Sequence, residues 1–330
     1  MANPLRRMLF TRPHETPVLP SSFTVAVIIP CYNEEATIGA TIEALRQVFA
    51  DESYPVRFVV CDNASSDATA LRAREAGAIV YTERHKGKGN AVRRLFMEVD
   101  ANVYLMTDGD LTYEAEAAPE MIRRVQEDRQ DMVTAVRRHT DEAAYRNGHQ
   151  WGNKAMTWTV NHVFGQSTAD VFSGYRAFSK RFVKSFPVSS SGFEIETELT
   201  AHGCEMRVPV SEVECAYSPR PQGSTSKLST YKDGLRIARK ILDLFRLHRP
   251  LTFYGSIAVF LAVSGVIIGS PVIVEFIFTG LIKHMPLAIL AASVEVLAGI
   301  ALTCGLILDN LSRFRVEVKR MMLLNQMDRP

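Results

Sequence analysis

Three short polar clusters each follow directly on an apolar run. They are Pro30-Cys31-Tyr32-Asn33-Glu34-Glu35, Cys61-Asp62-Asn63-Ala64-Ser65-Ser66-Asp67 and Thr107-Asp108-Gly109-Asp110. Asp108 and Asp110 set hard carboxylate oxygens at alternate positions. That donor set suits Mg2+ or Mn2+, which bind through a few carboxylates and complete their shell with substrate phosphates. Glu34 and Asp62 are acceptors for hydroxyl or amide donors. Lys86-Gly87-Lys88-Gly89-Asn90 lies between the second and third clusters and brings two cations that can approach phosphate. Each residue also has an ordinary reading. Asp-Gly-Asp occurs in many turns, Asp62 is a turn former, Glu34 favours a helix N-terminus, and Lys86 fits a solvated loop.

The apolar runs say what positions these clusters. Phe23 to Ile29, Val56 to Cys61, Ala78 to Tyr81 and Val103 to Thr107 are short, β-branched-rich strand candidates. Helical spacing separates them over Glu34 to Phe49, Ala68 to Ala76 and Gly89 to Val99. Such alternation predicts βαβ units on a mostly parallel sheet, whose ligands sit at the carboxyl ends of the strands. Beyond Asp110 the rhythm loosens. Helices are expected over Ala115 to Glu127, Ala155 to Phe164 and Glu194 to His202, and strands over Met132 to Val136, ending at Arg137, and Met206 to Val213. Tyr217 to Leu228 reads as a Pro-, Gly- and Ser-rich loop.

A net charge of +2 does not suggest a nucleic-acid binder, and five cysteines without a CxxC pair fit neither a zinc site nor a disulfide framework. Leu251 to Val274 contains no charged residue, and Met285 to Leu308 only Glu295. Each run can cross a hydrocarbon core as a helix. Arg236, Arg239, Lys240, Arg246 and Arg249 precede the pair, and Arg313, Arg315, Lys319 and Arg320 follow it. The connector's only basic residues are Lys283 and His284. The positive-inside rule then expects both ends of a helical hairpin, and the soluble domain, in the cytoplasm at the cell membrane. Thr230 to Leu247 reads as a basic amphipathic helix on the inner leaflet. The expected organisation is a flexible tail (1–22), a catalytic domain (23–229), a juxtamembrane helix (230–250), two spans (251–310) and a cytoplasmic tail (311–330).

The three strand-end clusters, in this order, resemble those of family-2 glycosyltransferases of the GT-A fold: Pro-x-Tyr-Asn-Glu, Asp-[Asp/Asn]-x-Ser-x-Asp and a DxD motif. Ser173-Gly174-Tyr175-Arg176-Ala177-Phe178, Gly192-Phe193-Glu194-Ile195-Glu196-Thr197-Glu198-Leu199, and the loop Tyr-Ser-Pro-Arg-Pro-Gln-Gly-Ser-Thr-Ser-Lys-Leu (217–228) resemble segments of the polyprenyl-phosphate sugar transferases in that family. The resemblance spans about Val25 to Leu247. It implies a Rossmann-like, mostly parallel α/β catalytic domain with a C-terminal membrane hairpin. It also implies a nucleotide-sugar donor, held by Pro30, Tyr32, Glu34, Asp62, Lys88, Asp108 and Gly109, with Mg2+ or Mn2+ on Asp108 and Asp110.

A polyprenyl-phosphate acceptor and the donor diphosphate would meet Arg137, Arg220, Ser226 and Lys227; Asp110, Arg220 and Lys227 would be catalytic. A phosphate acceptor is already ionised, so direct displacement with inversion needs no strong base, and charge stabilisation dominates. Two alternatives stay open. One is a same-fold transferase acting on a glycan hydroxyl, with Glu194 or Glu196 as base, although both read first as exposed helix carboxylates. The other is a non-catalytic membrane scaffold. Partners are thus the donor, the lipid and the membrane, with no nucleic acid, and self-association is left open.

Overall fold

A computed structural model of the chain describes residues 23–139, 157, 158, 161, 162, 168–188, 190–192, 194–218, 242, 243 and 245–325. Among them a seven-stranded sheet has the order β3-β2-β1-β4-β6-β5-β7. Its strands are β1 (Val25–Cys31), β2 (Val56–Asp62), β3 (Ile79–Thr82), β4 (Val103–Met106), β5 (Met132–His139), β6 (Arg176–Ser179) and β7 (Val210–Tyr217). β6 runs antiparallel to both β4 and β5, while the other pairings are parallel.

Every residue of β1 is buried, which is why it reads as an unbroken apolar run: both faces of a parallel strand are covered by helices. Val25, Val27 and Ile29 join one core, with α1 (Ile38–Val48), α2 (Thr69–Glu75) and α4 (Ala117–Gln126). Ala26 and Ile28 join the other, with α3 (Lys88–Glu98), α5 (Lys180–Ser185) and α6 (Ile195–Met206). β1 runs on through Pro30, which was expected to stop it. Its ladder to β4 ends at Ile28–Met106, so proline's missing N–H interrupts nothing there.

The second half departs further from expectation. β6 and α5 had no strand or helix assigned to them, and β5 continues past Val136. α6 extends to Met206 and stops at Arg207 in the left-handed region, so β7 begins only at Val210. Of the helix expected over 155–164, residues 157, 158, 161 and 162 are helical.

Two long helices, α7 (Pro250–Thr279) and α8 (Met285–Asn325), are apolar enough to cross a membrane, and only 22% and 11% of their most apolar windows are buried. A core helix of a soluble protein would be mostly buried. α8 does not end where the apolar stretch does. Residues 311–325, expected as a tail, continue it, and Val316 and Leu323 pack against the second core.

Candidate active site

The loops after β1, β2 and β4 open on the same edge of the sheet. Three of the five described non-glycine residues with positive φ lie in them: Asn33, Ala64 and Leu111. Each such conformation costs about 1–2 kcal/mol and persists only where its surroundings enforce it. Here hydrogen bonds between loops do so. Asn33 Oδ1 accepts from the Ser66 backbone N–H at 2.8 Å, and Ser65 Oγ accepts from the Asn33 N–H at 3.0 Å. Glu34 N–H donates to Thr69 Oγ1 at 2.8 Å. Thr37 Oγ1 donates to the Gly109 carbonyl at 2.7 Å, tying α1 to the aspartate turn.

Asn63 connects the second cluster to the lysine loop. Its side-chain amide donates to the His85 carbonyl at 2.7 Å, and its Oδ1 accepts from the Gly87 N–H at 2.6 Å. Gly87 has φ 133, and a side chain there would collide with the Ser191 carbonyl. The two glycines of the lysine loop therefore let residues 190–192 lie directly on the start of α3, where Gly89 N–H donates to the Gly192 carbonyl at 3.1 Å. That segment leads into α6. Lys86 reaches over the Tyr32 ring, 4.9 Å from its centre, and donates to its hydroxyl at 3.0 Å.

The centre of the site is an ion cluster. Lys88 Nζ lies 2.5 Å from Asp108 Oδ1 and 2.6 Å from Glu196 Oε1, with the lysine side chain 10% exposed. Burial alone would push the ammonium down, but Asp108 and then Glu196 outweigh it and hold its pKa above the ordinary value. Glu196 is pushed up by burial and pulled back by Lys88. Its Oε2 is buried without a hydrogen-bond partner. The expectation of an exposed helix carboxylate therefore fails at Glu196, which is only 4% exposed.

A Cβ on Gly174 would stand 2.5 Å from Asp108 Oδ2 and 2.9 Å from Lys88 Nζ. Glycine is needed there so that backbone can close over the pair. Asp110 is 3% exposed, and its Oδ1 accepts from Thr112 Oγ1 at 2.6 Å.

The donor set fits a hard divalent cation in part. Asp108 gives one oxygen to Lys88 and keeps the other beside Gly174, and Asp110 stands two residues on. Among the described residues no group of three or more His, Cys, Asp or Glu side chains could hold an ion. The protein would thus supply one or two carboxylates and leave most of the shell to substrate oxygens, the pattern Mg2+ and Mn2+ favour.

The remaining expected residues divide. Tyr32, Glu34, Asp62, Lys88, Asp108 and Asp110 come together at the strand ends. Pro30 is buried inside β1, and Gly109 is buried with its face against Cys31 Sγ, so both shape the site from behind. Arg137 turns its fork to Asp170, Nε at 2.6 Å and Nη2 at 2.9 Å, with the guanidinium 5.4 Å from the Tyr217 ring centre. Burial raises the Asp170 pKa, but Arg137 more than offsets this and holds the carboxyl below its usual range. Arg220, Ser226 and Lys227 lie outside the described residues.

Glu196 and Asp170 were missed as partners because each pairs across a long sequence separation. The two glycines around Lys88 were the available signal for the first. Arg176, read as part of a motif, is fully buried, bonding the Ser173 and Val171 carbonyls and Thr200 Oγ1 at 2.7–2.9 Å. It braces the second half of the sheet.

Residues 26–186 match the model of glycosyl transferase family 2. The glycosyltransferase AglJ of Haloferax volcanii is 30% identical over 305 residues, 92% of this chain and 98% of that protein. The dolichyl-phosphate hexose transferase of the same organism is 26% identical over 221 residues, 67% of this chain and 93% of its own. Glucosyl-3-phosphoglycerate synthase from Mycobacterium tuberculosis superposes with a TM-score of 0.54 at 18% identity, covering 68% of this chain and 80% of that one. Its complex with Mn2+, UDP-glucose and glycerol 3-phosphate superposes at 0.51 and 20%, covering 68% and 79%. The structural likeness shows a GT-A fold. With strand ends, ion cluster and full-length similarity in agreement, the chain belongs to glycosyl transferase family 2.

Proposed function

We propose that the protein transfers a hexose, with inversion, from a nucleotide-sugar to a polyprenyl phosphate. The observation that carries this is the convergence of Tyr32, Asp62, Lys88 and Asp108 on one sheet edge, in a chain that also bears two membrane-length apolar helices. Tyr32 offers the donor base a ring face, and Glu34 and Asp62 accept from base or ribose. Asp108 and Asp110 would hold Mg2+ or Mn2+, which supplies Lewis-acid stabilisation of the leaving diphosphate. Support for a metal comes from the Mn2+ and UDP-glucose bound in the glucosyl-3-phosphoglycerate synthase structure. Lys88 holds Asp108 Oδ1 and leaves Oδ2 for a cation, so the carboxylate is oriented before the donor arrives and less reorganisation is needed on binding.

The lipid acceptor is supported by the apolar hairpin and by the similarity to a dolichyl-phosphate hexose transferase. Arg220 and Lys227 would clamp its phosphate or the donor's. The basic flanks favour a membrane-embedded hairpin with the catalytic domain in the cytoplasm. A cysteine placed near Lys283 should then label from outside the cell and one near Arg313 should not.

A second reading has one observation in its favour. Glu196 is a buried carboxylate with an unbonded oxygen beside Asp108 and Lys88, and burial raises its pKa. That is the character of a general base for a hydroxyl acceptor. One assay separates the readings: radiolabelled UDP-glucose, UDP-GlcNAc, UDP-galactose and GDP-mannose are each offered with membranes. Label should enter butanol-extractable lipid with one donor. Label appearing only in water-soluble glycan would sink the lipid reading.

A further inference from the structure

α6 is anchored at both ends, and its two ends serve different neighbours. Near its start Glu196 grips Lys88. At its other end Glu205, with its side chain 8% exposed, meets side chains from both open ends of the hairpin. Lys319 Nζ of α8 lies 2.9 Å from Glu205 Oε2, and His248, two residues before α7, sets its Nδ1 against Oε1. Arg320 donates to the Glu205 carbonyl at 3.2 Å. The joint is braced where Ser312 Oγ and Arg315 Nη2 donate to the Leu247 carbonyl at 3.3 and 3.1 Å. Val316 and Leu323 pack against the second core beside it. Burial raises the Glu205 pKa, but His248 and Lys319 overcome it and bring the carboxyl down to about 2.

For adhesion alone, apolar side chains of similar volume would hold as well or better. What a buried carboxylate shared by two segments adds is one fixed arrangement. We propose that Glu205 is a positioning residue for transfer: it bolts the helix that carries Glu196 to both ends of the hairpin and so fixes the donor site's height and tilt above the membrane that holds the acceptor phosphate. The proposal rests on the lipid-acceptor reading.

The full-length enzyme is placed in phosphatidylcholine–phosphatidylglycerol vesicles containing polyprenyl phosphate. Glu205→Gln, Lys319→Glu and the double swap Glu205→Lys with Lys319→Glu are compared with the parent. Glu205→Gln should raise the KM for polyprenyl phosphate by about tenfold, the effect of losing charge-assisted contacts. Binding of UDP or GDP, whichever the parent binds, should stay within about twofold, and the double swap should recover most of the lost acceptor KM. Amide exchange over 312–323 should rise in Glu205→Gln and fall back in the swap.

An unchanged acceptor KM, nucleotide binding weakened as much as transfer, or a folded double swap that recovers nothing would each overturn the proposal. If the parent itself used no polyprenyl phosphate, the acceptor reading would fail, and the exchange measurement would still decide whether Glu205 bolts α8 to the domain. If Glu205→Gln does not fold, the double swap carries the test.

Discussion

The two halves of the sheet use charge in opposite ways. From β1 to β4, parallel strands end in loops whose charged groups Glu34, Lys86 and Asp108 reach the opening, with Lys88 just behind them against Asp108 and Glu196. From β5 to β7, charged groups are mostly spent inside the fold. Arg137 engages Asp170, Arg176 braces three buried acceptors, Arg181 pairs with Asp131, and Glu205 fastens the hairpin. The reversed strand β6 is the hinge of this difference, because it brings Arg176 inward and Gly174 over Asp108. A charge at a strand end is therefore a ligand candidate only once its partners across the sheet are known.

The largest expected effect tests the first half. Asp110→Asn should leave the protein folded and membrane-bound but slow transfer by about a thousandfold, equivalent to about 4 kcal/mol. Excess EDTA should do the same to the parent in the label-transfer assay, and full activity in EDTA would remove the metal from the mechanism. Lys88→Met sharpens the comparison, because it strands Glu196 and leaves Asp108 unneutralised. Breaking a buried pair in this way should cost about 3 kcal/mol in thermal unfolding. Adding Glu196→Leu should return part of the stability but none of the activity.

The second half has a pH signature. His202 on α6 is 2% exposed between Phe182 and Phe186, and its pKa is brought down to about 3, chiefly by burial, with Lys319 adding to it and Glu205 opposing. As the pH falls through about 6.5 the unfolded chain takes up this proton and the folded chain does not. Stability is thus full above that value and falls as the pH drops, by roughly 2 kcal/mol between pH 7 and 5. His202→Gln should flatten this part of the curve in denaturant titrations at the two pH values.

The smallest effect contrasts two arginines. Arg220→Ala and Lys227→Ala should slow transfer by about tenfold or more at near-parental melting temperature, as loss of a charge-assisted phosphate contact would. Arg220→Lys should recover only part, because it lacks the bidentate fork. Arg137→Ala should instead lower the melting temperature, since it leaves Asp170 buried and unbalanced. Arg137→Ala acting only on transfer would place that arginine with the phosphates.

The first half was legible because its signals are local. A buried parallel strand writes an unbroken run of Val and Ile, and the polar residue after it marks the carboxyl end. Asp108 could be named from such a run and Lys88 from the glycine-flanked segment 86–90, though not their salt bridge across 20 positions. In the second half the determining contacts are distant. β6 has four residues, too few for a periodic pattern, and it is fixed by pairing with β4 and β5. Glu196 looked like any helix carboxylate, because nothing local reveals that glycines at 87 and 89 bring its segment onto α3.

The length of α8 has a consequence of its own. Its 41 residues make a rod of roughly 60 Å, about twice the thickness of a hydrocarbon core. With the hairpin in a membrane, as proposed, one end would be set by lipid while the other is fastened to the helix that carries Glu196, and the rod would act as a lever. A bilayer thicker or thinner than its apolar stretch tilts such a helix, and that tilt would reach the proposed transfer site without any ligand. Lipid composition would then be an input to the rate: vesicles of graded acyl-chain length should give a maximum in turnover, and releasing Glu205 should flatten it.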